Sequence, residues 1–483
     1  MNTTFNEYRD VQRCESVCKG AYAPSRFEAI YATLFIALFC MFYLIGQQQL
    51  FAWAIVFVDI CSLLLRKSSL PVLYSAFLIG NEAASVLIIM IWFMGSTDLR
   101  FGAIKSAKID KEIIFLGSTI LAVTFAQAWK AGTIANSVIS ICYLCLVCFL
   151  AFACSQSVKY ESLFRCTRLF VYCEFIVSLL ICFKEGIVPG DAHYGTILNA
   201  HFFGLFCLIA FVLVIHGWRI KLISKMELCI LAAMLVFMMW DADAKSALGA
   251  GIVCLVFYAI LRAAKEGPGT ISALLWLVVV LFIVGSLVLA APGVREAFTA
   301  DEFPLSSFFK DSVYDSGTQN KFDYFMGTVN QMIEDGHIIF GYGLGTYGSR
   351  FANMLGYTYT YRDPSAFNEL AANFFSSRMI PEYIPYASAY NADVVSRIQW
   401  LSAVLTYPFS SLVALLGETG LLGVGLVGLM LCRLRLGSCS QALVSLFIGA
   451  CITDLYFDHI QVVGLLIMVI AGLEQMRHCK SEM

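Results

Sequence analysis

The sequence predicts an all-α polytopic membrane protein, with about 12–14 transmembrane helices and one large, mostly helical extracytoplasmic loop. Three observations predict it. The 483 residues are 59% hydrophobic and only 14% charged, against roughly 25% charged residues in soluble domains, and mean hydropathy is +0.77. Apolar runs long enough to cross a bilayer recur along the chain. One long segment, roughly 293–397, is too polar and irregular to join them. The chain therefore divides into an amino-terminal tail (1–26), a helix bundle (27–292), a loop domain (293–407) and a carboxy-terminal group of helices (408–483). The formal net charge of −2 leaves no basic surplus for nucleic acid.

Hydropathy marks the spans in order as 27–46, 51–65, 70–95, 113–129, 134–153, 162–183, 199–218, 226–240, 246–261, 271–291, 408–432, 442–455 and 460–473. The first run begins too late and is too long for a cleavable signal peptide. Arg219, Lys221 and Lys225 share one short connection, Arg262 and Lys265 a second, and Arg433 and Arg435 a third. If each span crosses once, all three lie on one side, the cytoplasm by the positive-inside tendency, and the long loop is outside. Carried back, the alternation keeps Arg100, Lys105, Lys108 and Lys111 inside but puts Arg66 and Lys67 outside, against the tendency. An error in one amino-terminal span would remove the conflict, so the side of the amino terminus stays open.

Most of the 18 Cys lie in apolar runs. Cys142, Cys145 and Cys148 make two overlapping C-x-x-C spacings, but with no partner pair or nearby His they read as small core hydrophobes, as do Cys173 and Cys182. No metal site, disulfide framework or cofactor is expected.

Within the loop, residues 320–350 read NKFDYFMGTVNQMIEDGHIIFGYGLGTYGSR. Phe322, Phe325, Val329 and Met332 recur at helical spacing, with Lys321, Asp323, Asn330 and Glu334 on other faces, which predicts an amphipathic helix against a membrane surface. Gly341, Gly343, Gly345 and Gly348 then break the pattern. They permit positive φ and close approach of backbone N–H groups to an anion, or they form a tight turn between two helices. The stretch from 363 to 386, with Pro364, Pro381 and Pro385, is irregular, and its many aromatics suit a packed lid.

Two outer connections carry notable polar groups. Asp241-Ala-Asp243-Ala-Lys245 sets a cation at a helix amino terminus, where the macrodipole favours an anion; otherwise Lys245 is a solvated charge paired with Asp241 or Asp243. The connection from 188 to 201 holds His193, Asn199 and His201, suited to hydrogen bonding at the bilayer edge.

In combination, NAHFFG at 199–204, KSALGAGI at 245–252, the loop helix followed by GYGLGTYG at 341–348, and LVALLGETGLLGVGL at 412–426 resemble the O-antigen polymerase and O-antigen ligase superfamily of lipid-linked glycan transferases. The resemblance covers about residue 162 to the end. Similar proteins commonly place Arg where this chain has Lys245 and another basic residue where it has Lys321; Lys keeps the charge but loses the bidentate fork. Ligases of the superfamily share a His-containing motif late in the loop, where this chain reads TYPFS at 406–410 without His, which favours polymerase. The resemblance implies a bacterial inner-membrane enzyme, active on the periplasmic side, joining repeat units carried on undecaprenyl pyrophosphate, with membrane lipid, a flippase and a chain-length regulator of the same pathway as partners. Negative charge develops on the leaving phosphate, so fixed cations are the expected catalytic device. Lys245 and Lys321 are expected in that role, with Arg350 or Arg397 as a third contact. Gly341, Gly343 and Gly345 would supply backbone donors, and Asn199 and His201 would contact substrate. His337 is expected to accept the acceptor hydroxyl's proton; its alternative is a histidine just past a helix end at Gly336, with Asp323 and Glu334 as other bases. A ligase, a lipid-linked oligosaccharide flippase or other transporter, and a scaffold protein are the competing readings.

Overall fold

The computed structural model describes residues 25–64, 70–95, 134–186, 195–242, 332–344, 410–433, 436–453 and 459–482, with isolated positions among 118–126 and 326–330 and at 256. Eleven α-helices and no strand occur among the described residues. They are α1 (Arg26–Leu44), α2 (Gln48–Leu64), α3 (Leu70–Ala76), α4 (Glu82–Gly95), α5 (Ile134–Ser157), α6 (Tyr160–Glu185), α7 (Ala200–Arg219), α8 (Lys225–Asp241), α9 (Ser411–Arg433), α10 (Ser438–Thr453) and α11 (Ile460–Glu482). Six of them (α1, α5, α6, α7, α9 and α11) contain stretches long and apolar enough to cross a membrane, which makes this a multi-pass membrane protein. Apart from those isolated positions, the expected spans at 113–129, 246–261 and 271–291, and the loop from 345 to 409, lie outside the described residues.

Helix starts follow from local chemistry. Ser25 and Glu28 form a reciprocal capping box on α1. Asn199 and Ser224 accept from Phe202 N and Glu227 N to cap α7 and α8, each satisfying a donor that the first helical turn leaves free. Helix α7 is apolar on every side and sits in the core, with Phe203, Leu205, Phe206, Cys207, Ile209 and Leu213 all buried.

Side-chain contacts give the helices their directions. Arg165 of α6 pairs with Glu28 at the start of α1 (3.4 Å), and Arg168 pairs with Glu227 at the start of α8. Tyr160 meets His216 near the end of α7 (2.7 Å). Gly472 of α11 packs on Leu163 and Val158, while Glu474 accepts from Gly437 N just before α10. One end of the bundle thus gathers Arg165, Arg168, Arg219, Lys221, Lys225 and Arg477. At the opposite end, His459 meets Phe202 (ring centroids 4.3 Å apart), Cys182 donates to Asp241 (3.0 Å), and Ser410 donates to Cys451 O (3.0 Å).

Two expected spans are not continuous helices. The run 70–95 breaks at 77–81 into α3 and α4. Tyr74 stacks on Phe170 (4.9 Å) and bonds Thr167 (3.2 Å), Gly80 packs against Ile197 and Leu198 ahead of α7, and Phe93 of α4 meets Phe149 of α5 (4.2 Å). The chain therefore enters from the basic end, turns inside the bundle and comes back. Asn81 restarts it by capping Ala84 N (3.0 Å). This corrects the single crossing expected there, because the end of α2, the start of α3 and the end of α4 then open toward the same end as Arg165 and Arg168; Arg66 and Lys67 themselves lie outside the described residues. The second break is in α9, at Gly420 (φ 66°, ψ −171°).

The cysteines need a correction too. Cys173 is in the core and Cys182 half-buried, but Cys142, Cys145 and Cys148 lie on an exposed face of α5.

Candidate functional site

The α9 break and the glycine run form one structure. The helix ahead of the run ends at Gly336 (φ 73°) in a Schellman arrangement, with Gly336 N donating to Ile333 O (3.1 Å) and His337 N to Met332 O (2.8 Å). The chain then runs into the break. Tyr342 N donates to Gly417 O (2.8 Å) and Gly343 N to Glu418 O (3.0 Å), while Leu421 N and Leu422 N donate to Ile338 O (2.9 Å) and Ile339 O (3.1 Å). Breaking a helix in a bilayer frees carbonyls on one side and N–H groups on the other, and here the loop supplies partners for both. Close approach of backbones requires glycine on each side: a Cβ at Gly341 would run into Glu418 and Thr419, and one at Gly420 into Ile339 and Gly341. Met332, Tyr342 and Leu416 close the apolar side of the joint, with Val329, Ile338 and Val424 around them. Leu344 O accepts from Ser137 of α5 (2.5 Å). Val329 and Met332 therefore face α9, where a bare membrane surface was expected.

His337 is held by this joint. Its Nδ1 lies 2.9 Å from Gly341 O, and its ring stacks on Tyr342 (4.5 Å, 26°), whose hydroxyl donates to Asp335 (2.5 Å). A carbonyl only accepts, so Nδ1 carries the hydrogen and Nε2 keeps the lone pair of the neutral ring. A half-buried imidazole with a fixed tautomer can act as a proton acceptor. The N–H groups of Gly341, Tyr342 and Gly343 are used within the protein, the first donating to His337 O (2.7 Å). Glu334 is exposed on the loop helix.

Asn199 and His201 belong to a second cluster, around α7. Asn199 serves as its cap, and His201 is half-buried in its first turn. Just before them, the 3-10 turn Gly195–Ile197 dips toward Glu174 of α6, which is fully buried. Thr196 N donates to Glu174 Oε2 (3.0 Å), and Thr196 Oγ1 meets both Leu78 O (2.7 Å) and Glu174 Oε1. Glu174 thus ties the turn ahead of α7 to the tip of the α3–α4 re-entry. The Thr196 hydroxyl has one hydrogen for two oxygens, so a donor at position 174 completes the set. Glu174→Gln should therefore lower thermal stability little, whereas Glu174→Ala leaves Thr196 N unpartnered and should cost about 3 kcal/mol. Melting curves of the purified variants check this, and equal losses would refute it.

Asp241, one of the two carboxylates considered as a partner for a solvated Lys245, is buried at the end of α8 and accepts from Cys182 Sγ. Lys245, Lys321, Gly345, Arg350, Arg397 and Asp323 lie outside the described residues. Among those described, no three His, Cys, Asp or Glu side chains are grouped to hold a metal ion. Sequence reasoning missed Glu174 and Asp59; the signal available was a lone carboxylate in the middle of an apolar run. No protein-family model, curated protein or solved structure matches this chain.

Proposed function

We propose that this protein is a membrane-embedded glycosyltransferase that joins lipid-linked oligosaccharide repeat units, a surface-polysaccharide polymerase of the O-antigen polymerase kind. The basic end of the bundle is assigned to the cytoplasm, and the end bearing Asn199, His459 and Ser410 to the periplasm of a bacterial inner membrane. The observation that carries the reading is His337, clamped by the glycine loop on broken α9 with Nε2 as its lone-pair nitrogen. In this reading His337 accepts the acceptor hydroxyl's proton, while Lys245 and Lys321 stabilise charge on the departing pyrophosphate. Gly341 and Gly343 act by docking the loop, and Asn199 and His201 line the sugar path. A second reading, a lipid-linked oligosaccharide transporter, draws support from the two interrupted helices, a common device for substrate sites at membrane depth. A ligase is a third.

Purified protein in lipid vesicles supplied with lipid-linked oligosaccharide and no nucleotide sugar separates the three. Products lengthened on the lipid carrier are expected. Transbilayer movement of unlengthened oligosaccharide would favour the transporter, and transfer only to an added non-carrier acceptor would favour the ligase.

A further inference from the structure

A second carboxylate lies inside the bundle and serves no part of the proposed reaction. Asp59, on α2 a little over one turn from its basic end, has no exposed surface. Its Oδ1 accepts from Tyr31 OH of α1 (2.7 Å), and Tyr31 OH also meets Ser75 Oγ of α3 (2.8 Å), which donates to Val72 O (2.8 Å). Oδ2 is buried with no hydrogen-bond partner. Tyr31 from α1 is the titratable group that meets the carboxylate, and Ser75 from α3 meets the Tyr31 hydroxyl behind it.

A full negative charge with one bare oxygen in a packed, apolar surrounding is strongly disfavoured, and one phenol hydrogen does not offset it. From its other oxygen a chain of contacts runs through the Tyr31 phenol and the Ser75 hydroxyl to Val72 O of the short α3. Ends of interrupted helices, with carboxylates, are places where membrane proteins hold small cations. We propose that Asp59 is a binding site for one small monovalent cation, H⁺ or Na⁺, taken up at the bare Oδ2 while Tyr31, backed by Ser75, holds Oδ1. Ser75 lies three residues before Leu78, the contact of Thr196, so the site touches the element whose tip holds the turn ahead of Asn199 and His201.

The test uses full-length protein in vesicles, followed by infrared difference spectra and thermal unfolding. Solutions differ in pH, or in NaCl against choline chloride at fixed ionic strength. For H⁺, the carbonyl stretch of a buried carboxylic acid appears on acidification, is insensitive to Na⁺, and is absent from Asp59→Asn. For Na⁺, the melting temperature rises with NaCl but not with choline chloride, the rise weakens as pH falls through competition, and Asp59→Asn shows no rise. Identical pH and Na⁺ responses in wild type and Asp59→Asn would overturn the proposal. Tyr31→Phe keeps the carboxylate and serves if the Asn variant does not fold: its carboxyl band or its Na⁺ midpoint must differ from wild type, and no change in either would also overturn it.

Discussion

Replacing Gly420 by alanine is expected to remove most folded protein from the membrane fraction, whereas alanine at Gly425 or Gly428, on the same helix, should be nearly silent. Two effects add at Gly420. Its backbone (φ 66°, ψ −171°) lies in a region that is essentially glycine-only, and forcing a side chain there costs roughly 1–3 kcal/mol. A Cβ would also strike Ile339 and Gly341 backbone atoms, which cannot rotate away. Relief means undocking the loop, and that strips Leu421 N, Leu422 N, Gly417 O and Glu418 O of their partners inside the bilayer. Each buried group left bare adds about 1–3 kcal/mol, so the sum approaches the whole stability of an ordinary domain. At Gly425 and Gly428 a Cβ meets nothing within 4 Å. Folded yield and melting temperature of the three variants read this out. Equal behaviour at 420 and 425 would mean that the joint between loop and helix does not hold the fold.

Lys245→Ala and Lys321→Ala are each expected to lower turnover in vesicles by about 10²–10³-fold, the scale on which a single preorganised electrostatic contact acts. Negative charge grows on the leaving phosphate as the sugar–phosphate bond breaks, and a fixed cation stabilises that state more than the bound substrate. Lys→Arg should keep much of the activity, because the charge is retained and the guanidinium can engage phosphate in two places. The double alanine variant should lose less than the product of the single losses if both act on one pyrophosphate. Solvated surface charges predict otherwise, since exposed pairs contribute only ~0–1 kcal/mol. Normal chain extension by correctly inserted alanine variants would remove both residues from the site.

Much of the bundle was legible because a bilayer sets a simple demand: about 20 apolar residues with every backbone group bonded inside the helix. The starts of α1, α6, α7 and α8 and the gathering of Arg219, Lys221 and Lys225 at one end follow from hydropathy, caps and charge. So does the end of the loop helix at Gly336, because glycine reaches positive φ without strain. What hydropathy could not register is a break at depth. Residues 77–79 are as apolar as a continuous helix, and Gly420 is one of several glycines in α9. Whether such a position bends depends on whether another segment arrives to bond the freed groups, and those partners come from far along the chain: Thr196 for Leu78, and the 338–343 segment for the α9 break. The same holds for the polar groups. The sequence by itself places Asp59, Glu174 and His337 on the chain. Only the tertiary structure decides that Tyr31 takes one oxygen of Asp59 and leaves the other bare, that Glu174 pins two non-helical turns, and that Gly341 fixes the His337 tautomer, because each depends on a hydrogen-bond partner that the fold brings to that side chain.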